Sequence, residues 1–181
     1  MAFRAGRYRA GPENGKLQVR TYREGMAQKV GHDLVIDVGD WHATIQASED
    51  GNISSIELDA DSRSLQVQEA LGGVKPLTEE DRVEIRRNTD ETVLRGQPIA
   101  FRSTAVQSGD GNLMVSGELS LAGTCRCMSF ELEIHDDRRV TGTLPVIQSE
   151  WGIKPYRGLM GALRVSDMVE VVVDAQLPLG Q

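Results

Sequence analysis

The sequence predicts an all-β protein, an eight-stranded antiparallel barrel with one inserted helix. One observation is the stretch 111–136, where apolar side chains keep one parity on each side of an Ala-Gly turn. Side chains of a strand alternate between its two faces, so this stretch is a long hairpin with one apolar face. A hairpin alone cannot bury such a face, whereas a sheet that curls on itself can. Two further observations are the recurrence of alternating segments along the chain and a single segment with helical signals.

Three strands are predicted in the first third of the chain, at 16–23, 31–47 and 53–60. Residues 6–10 are a short lead-in, and residues 24–29 form a linker between the first two strands. Gly39 permits a bulge or a sharp bend within the second strand. The Asp-Gly pair at 50–51 is a strong signal for a hairpin turn into the third strand. The segment 64–68 is expected to pair only briefly.

One helix is predicted at about 78–90, in the middle of the chain. Thr78 resembles an N-cap, with Asp81 at the third helical position. Acidic residues in the first turn and basic residues later complement the helix dipole. Because Val83 and Ile85 are its few apolar residues, the helix is expected to be mostly solvated. It is expected to lie against the outside of the barrel or across one end.

Five strands are predicted in the second half, at 99–106, in the two arms of 111–136, at 138–149 and at 165–177. Pro145 lacks an N–H group, so the strand that contains it is expected at an edge or in an irregular position. Residues 150–161 show no alternation and form a predicted loop with a short helical turn. No linker or low-complexity segment interrupts the pattern, which predicts one domain over residues 1–181.

Composition argues against several classes of function. The 20 Lys and Arg against 27 Asp and Glu give a net charge of -7, which argues against a nucleic-acid partner. No apolar run is long enough to cross a bilayer. The first residues carry arginines without an apolar segment behind them, so no secretory signal is predicted and a cytoplasmic location is expected.

The motifs predict neither catalysis nor metal binding, and no cofactor is expected. Cys125 and Cys127 lie on one strand face, where a bridge between such near neighbours would be strained, so reduced thiols are expected. Their role stays open, since no further metal ligands occur at suitable spacing. His32 and Asp33 are neighbours on a strand and point to opposite faces, which argues against a base and its orienting carboxylate.

Four stretches in a fixed order resemble one known family. They are GHDLVIDVGDW from Gly31, PIAFRST from Pro98, VSGELSLAGTCR from Val115 and SEWGIKPYRGLMGALRVSD from Ser149. Over about 17–177 the chain is similar to the YceI-like family. The resemblance implies a polyisoprenoid-binding protein with an extended lipocalin-like barrel, in a cytosolic branch without a signal peptide. It also implies no common enzymatic activity, and a homodimer is expected as one option because such barrels often pair.

From the residues alone, two interpretations of the inward apolar set stay open: it fills a closed barrel, or it lines a ligand cavity. The resemblance favours the cavity and implies an isoprenoid, an isoprenoid quinone or another lipid as the ligand. The predicted ligand-contacting residues on the strands are Leu34, Ile36, Phe101, Leu113, Val115, Leu119, Leu121, Met128, Phe130 and Leu132. Trp151, Tyr156 and Met160 are predicted to cap the cavity mouth, although Trp151 is equally suited to plug a barrel end.

Three polar residues are predicted to meet a ligand headgroup: His32, Lys75 and Lys154. The alternative is two solvated loop lysines and a hydrogen-bonded histidine. The predicted function is non-enzymatic binding, storage or transport of a long apolar ligand in the barrel interior. Two alternatives stay open. One is an enzyme that acts on an apolar substrate through these three residues, and the other is a barrel scaffold for protein–protein interaction.

Overall fold

The computed structural model describes residues 3–178 of the chain. These residues form fourteen strands: β1 (Gly6–Ala10), β2 (Gly15–Thr21), β3 (Arg23–Glu24), β4 (Asp33–Val38), β5 (Trp41–Ala47), β6 (Ile53–Ala60), β7 (Leu65–Leu71), β8 (Ile99–Ser108), β9 (Asn112–Leu121), β10 (Thr124–Ile134), β11 (Arg139–Ile147), β12 (Arg157–Gly158), β13 (Leu163–Val165) and β14 (Met168–Gln176). Eleven of them make one main sheet, in the order β1-β5-β6-β8-β9-β10-β11-β14-β2-β4-β7. The strands β12, β13 and β3 make a small second sheet. The predicted all-β class is confirmed.

The main sheet is antiparallel and strongly curled, so that its inner face surrounds an apolar interior. Its two terminal strands, β1 and β7, are not paired with each other within residues 3–178, which makes the sheet a half-barrel. The predicted long hairpin is β9 and β10, with Leu121 opposite Thr124 next to the turn. Leu113 and Leu132 face each other near the other end of the hairpin, and both are buried.

The main sheet has eleven strands instead of the predicted eight. The lead-in 6–10 is itself a strand, β1, which pairs with β5 and buries Tyr8. The bend expected at Gly39 is sharp enough to divide 31–47 into β4 and β5. These two strands pair with different neighbours, β4 with β2 and β7, and β5 with β1 and β6. The brief pairing expected at 64–68 is a full strand, β7, at one end of the sheet.

The predicted helix is confirmed as α1 (Glu79–Asn88), which continues into a π-helical turn at Thr89–Val93. Its start is a reciprocal capping box. The Thr78 hydroxyl accepts a hydrogen bond from the Asp81 backbone N–H, and the Asp81 carboxylate accepts one from the Thr78 backbone N–H. These bonds from Thr78 lower the pKa of Asp81. No residue of α1 is buried, as expected for a mostly solvated helix.

Two short 3₁₀ helices, Gln148–Trp151 and Leu159–Gly161, occupy the segment predicted as a loop with a helical turn. A third, Ser62–Ser64, precedes β7. The helix Gln148–Trp151 follows β11 and carries Trp151 into the interior. The second joins β12 to β13 and lies at the surface.

The strand β11, which contains Pro145, lies between β10 and β14. Pairing with β14 is continuous from Arg139 to Ile147, whereas pairing with β10 is limited to Val140 and Thr141. Pro145 therefore lies where the β10 side of the strand carries no ladder. Its missing N–H group leaves no gap in a ladder on that side.

The outer face of β10 carries the two cysteines, Cys125 and Cys127, which are exposed free thiols. They point away from the interior because their parity is opposite to that of Met128 and Phe130. In the described part of the chain, no helix is long and apolar enough to span a membrane.

Candidate functional site

The concave face of the main sheet encloses a cavity of about 660 Å³. Strands from both halves of the sheet form its wall, and residues of α1, of β13 and of the loops before β4 and β12 complete it. The volume falls within the range of roughly 300–1,000 Å³ that is typical of small-molecule sites. Most of the wall residues are Leu, Ile, Val and Phe, so the cavity is suited to an apolar molecule.

Strand parity explains why the wall is apolar. The inward set on the long hairpin is Leu113, Leu119, Leu121, Met128, Phe130 and Leu132. Gly117 shares this parity, and a Cβ atom there would collide with the Phe101 ring and the Arg102 carbonyl. Glycine therefore leaves room for Phe101 to pack against Phe130, with ring centroids 5.2 Å apart. This aromatic pair forms part of the cavity wall.

The structure places eleven of the sequence-predicted site residues in the cavity wall: His32, Leu34, Ile36, Phe101, Leu113, Leu119, Leu121, Met128, Phe130, Leu132 and Tyr156. Of these, Tyr156 is 48% exposed and lies at the rim. The strand residues reach the wall because every one of them has the inward parity of its strand. That they contact a ligand remains a prediction.

Three of the predicted apolar and aromatic residues lie elsewhere: Val115, Trp151 and Met160. Val115 has inward parity and is fully buried, but it does not line the cavity. Trp151 is also buried, and its indole Nε1–H donates to the Leu119 carbonyl oxygen at 2.8 Å, an arrangement that matches the alternative of a plug. Met160 is fully exposed, outside the cavity wall.

The three predicted headgroup residues do not converge. His32 lies in the cavity wall, and its Nε2 atom is 2.8 Å from the Lys75 carbonyl oxygen. The side chains of Lys75 and Lys154 are exposed and lie outside the wall. This arrangement matches the alternative of solvated lysines and a hydrogen-bonded histidine.

Most wall residues were absent from the predicted site, and nearly every strand of the main sheet contributes some of them. Those from β2, β14 and α1 include Leu17, Val19, Thr21, Val169, Val171, Val173, Asp81, Glu84, Ile85 and Asn88. The alternation of β2 and β14 was visible in the sequence, and closure of the sheet brings those two strands to the cavity. The residues of α1 carried little signal, since only one of these four is apolar.

One part of the wall is polar. The Thr21 hydroxyl is buried and has no hydrogen-bond partner among residues 3–178. Thr21 lies in the wall close in sequence to Arg23, whose guanidinium donates to the Gly31 carbonyl oxygen at 2.6 Å. Asp81 and Asn88 reach the wall from α1. The cavity thus combines a long apolar surface with a few polar groups that can orient a ligand.

Outside the wall, Tyr22, which lies between β2 and β3, forms a hydrogen bond with Glu170 on β14, in which the tyrosine hydroxyl donates to the carboxylate. This bond, together with burial, raises the pKa of Tyr22. Within residues 3–178, no group of three His, Cys, Asp or Glu side chains is placed to hold a metal ion. The arrangement favours binding of an apolar molecule, with polar contacts at one part of the wall.

Comparisons with known proteins agree with this architecture. The family model described as "YceI-like domain" matches residues 14–177. The crystal structure of Burkholderia cenocepacia BcnA is similar, with a TM-score of 0.65 and 12% sequence identity over 90% of this chain and 94% of that one. The Campylobacter jejuni YceI protein has a TM-score of 0.58 and 10% identity, over 81% of this chain and 84% of that one. No curated protein sequence matches the chain significantly.

Proposed function

The chain belongs to the YceI-like domain family, and on that premise we propose that its cavity binds a long apolar ligand, an isoprenoid, an isoprenoid quinone or another lipid. The protein stores or carries this ligand and does no covalent chemistry on it. The proposal includes a cytoplasmic location, where the exposed Cys125 and Cys127 would stay reduced.

The cavity is the observation that supports this proposal. A wall of aliphatic and aromatic side chains encloses about 660 Å³. Each methylene group that leaves water for such a surface contributes about 0.8 kcal/mol. Ten buried carbons would therefore contribute roughly 8 kcal/mol before the costs of association, which corresponds to about micromolar affinity. Burial of a chain is enough for binding, and few polar contacts are needed.

The proposed ligand contacts are the predicted residues in the wall, together with the inward residues of β2 and β14. Phe101 and Phe130 supply the aromatic surface. The polar part around Thr21 and His32 is the proposed position of a ligand oxygen, since both residues belong to the wall and a small shift of the covered Thr21 hydroxyl, which has no protein partner within residues 3–178, would bring it to the cavity surface. A buried hydroxyl that gains a hydrogen bond recovers part of its desolvation cost.

Native mass spectrometry of the purified full chain tests the proposal, followed by solvent extraction and identification of released molecules. We expect a stoichiometric lipid adduct, or an adduct after incubation with prenols of several lengths. A mass that stays at the apoprotein value with every prenol and fatty acid offered would contradict the proposal.

A matched pair of substitutions on β14 tests the location of the site. Val171 faces the cavity, whereas Val172 has the opposite parity and lies outside the wall. Val171→Phe fills the space a ligand would occupy, and we expect affinity for a prenol to fall by about tenfold or more, since each tenfold corresponds to about 1.4 kcal/mol. Val172→Phe should leave the affinity unchanged. Titration followed by intrinsic fluorescence measures both, and equal affinities in the two variants would place the ligand elsewhere.

A further inference from the structure

Three exposed apolar side chains lie close together at the small second sheet: Met26, Leu159 and Met160. We call this group the apolar tip. Met26 is 96% exposed, Leu159 57% and Met160 107%. The loop that carries Met26 is joined to the segment after Met160, because the Ala27 N–H donates to the Ala162 carbonyl oxygen at 3.0 Å. Such a group of large exposed side chains is typical of an interaction surface.

The backbone holds the apolar tip in an unusual conformation. Leu159 and Met160 have φ angles of 48° and 53°, in the left-handed region that favours glycine. Two consecutive side chains of this size in that region are uncommon, and such strain concentrates at functional sites. The conformation turns Met160 fully into solvent.

Unpaired cations lie beside the apolar tip. Arg157 on β12 and Arg164 on β13 face each other directly across the strand pair. Two like charges in this position repel one another, unless an anion lies between them. Neither arginine forms an ion pair within the described residues, although Glu24 is opposite Arg164 on the next strand. Lys29, in the loop after Met26, adds a third exposed cation.

The apolar tip and these cations lie at the rim of the cavity. Arg164 and its neighbours Leu163 and Val165 belong to the cavity wall, as does Tyr156. Val30 also lines the cavity and is 47% exposed, and the next residue, Gly31, packs against the Leu163 side chain. The surface described here is therefore continuous with the interior.

We propose that this rim docks on the surface of an anionic phospholipid bilayer. The phosphate groups of the lipids take the position between Arg157 and Arg164, and the apolar tip inserts among the acyl chains. The net charge of -7 means that most of the protein surface is repelled by such a bilayer, so the basic rim fixes the orientation. Docked in this way, the cavity opens towards the membrane, and an apolar ligand transfers without crossing water.

Membrane docking would serve ligand transfer and in that respect rests on the proposed function. Binding to vesicles is nevertheless measured without added ligand. The full chain is sedimented with vesicles of phosphatidylcholine alone and of phosphatidylcholine with one third phosphatidylglycerol. We expect binding to the anionic vesicles only, and weaker binding at high salt because exposed charges are screened.

Two variants and two controls locate the contact. Arg157→Gln with Arg164→Gln should weaken binding by roughly 30-fold, since each cation near an anionic surface contributes about fivefold. Met26→Ser with Met160→Asn should also weaken it, and asparagine tolerates the left-handed backbone. The controls are Arg4→Gln with Arg9→Gln, which removes the same charge from β1 and the segment before it, and Met114→Ser, an exposed methionine on β9. Thermal unfolding of every variant confirms that it is folded.

Absence of wild-type binding to anionic vesicles would overturn the inference, and so would an equal loss in variants and controls. A dimer in sedimentation velocity that the tip variant dissociates, with no vesicle binding, would assign the rim to a second copy of this chain and also overturn it. Native mass spectrometry of the same samples separates the two proposals: a retained lipid adduct without vesicle binding leaves the proposed function standing.

Discussion

Thr21 places a hydroxyl group without a protein partner among residues 3–178 in the otherwise apolar β2 part of the cavity wall. Its hydroxyl is buried in the wall without a hydrogen-bond partner in the described part of the chain, which costs roughly 1–3 kcal/mol. The residues that precede it on the inward parity of β2, Leu17 and Val19, are apolar. A hydroxyl in this position is useful if the ligand brings an oxygen or nitrogen to pair with it.

We expect Thr21→Val to raise the free energy of unfolding of the apoprotein by about 1 kcal/mol, since it removes an unsatisfied polar atom at nearly constant volume. The same change should lower the affinity for a prenol with a terminal hydroxyl and leave the affinity for a pure hydrocarbon of equal length unchanged. Urea unfolding and ligand titration measure the two effects. Equal changes for alcohol and hydrocarbon would remove Thr21 from ligand recognition.

At the scale of elements, α1 is a part of the cavity wall built from a polar sequence. Asp81, Ile85 and Asn88 recur at helical spacing on the side that lines the cavity. Packing of so few apolar residues holds the helix weakly, so its capping box and individual hydrogen bonds matter. Arg82 donates to the Val67 carbonyl oxygen of β7 at 2.8 Å and fixes the helix to the sheet.

Thr78→Ala removes the N-cap of α1, and we expect a loss of about 1 kcal/mol of stability, the usual cost of such a cap. The loss should be local, because the main sheet does not depend on this helix for its ladders. Hydrogen exchange followed by mass spectrometry should show faster exchange in residues 79–88 and unchanged exchange in β9 and β10. Thr143→Ala, an exposed threonine on β11, is the control. Faster exchange throughout the sheet would contradict a local role.

For the whole molecule, carboxylates on the outer surface link stability to pH. The hydroxyl of Ser48, with further bonds from Asn52, lowers the pKa of Asp50 from 3.8 to about 2. Hydrogen bonds from Arg63 lower the pKa of Asp61, and those from Arg139 lower that of Asp174. Each of these groups binds its proton more weakly in the folded chain than in the unfolded chain.

A carboxylate whose pKa is lowered by folding stabilises the folded chain at pH values above its unfolded pKa, near 3.9. This stabilisation is lost as the pH falls through the folded-state pKa, which is about 2 for Asp50. We expect the free energy of unfolding to fall between pH 5 and pH 2, as measured by urea unfolding followed by tryptophan fluorescence. Ser48→Ala should raise the pKa of the Asp50 carboxyl towards its usual value in an NMR titration. An Asp50 carboxyl that titrates identically in both proteins would refute this link.

Much of the architecture follows from the sequence because its signals are local. The alternation of apolar residues predicted the positions of β9, β10 and β14, and the pair Thr78 and Asp81 predicted the start of α1. Gly39 predicted the bend between β4 and β5. Pro145 predicted an edge or irregular position, and within residues 3–178 β11 has no partner on its β10 side at that residue. Ten of the thirteen apolar and aromatic site residues predicted from parity and loop position lie in the cavity wall, since a strand that curls inward carries its whole inner parity with it.

The remainder depended on contacts between distant parts of the chain. Only the tertiary structure decided that β4 and β5 pair with different neighbours, and that β14 meets β2 and brings Val171 to the cavity. Strand parity predicts that Val115 and Leu113 both contact the ligand. In the structure Leu113 lines the cavity, whereas Val115 is fully buried and does not. Trp151 is buried, and its indole donates to the carbonyl oxygen of Leu119, which is 32 residues away in the sequence. Local pattern determines which face a side chain takes, and only the packing of the whole sheet determines what lies against that face.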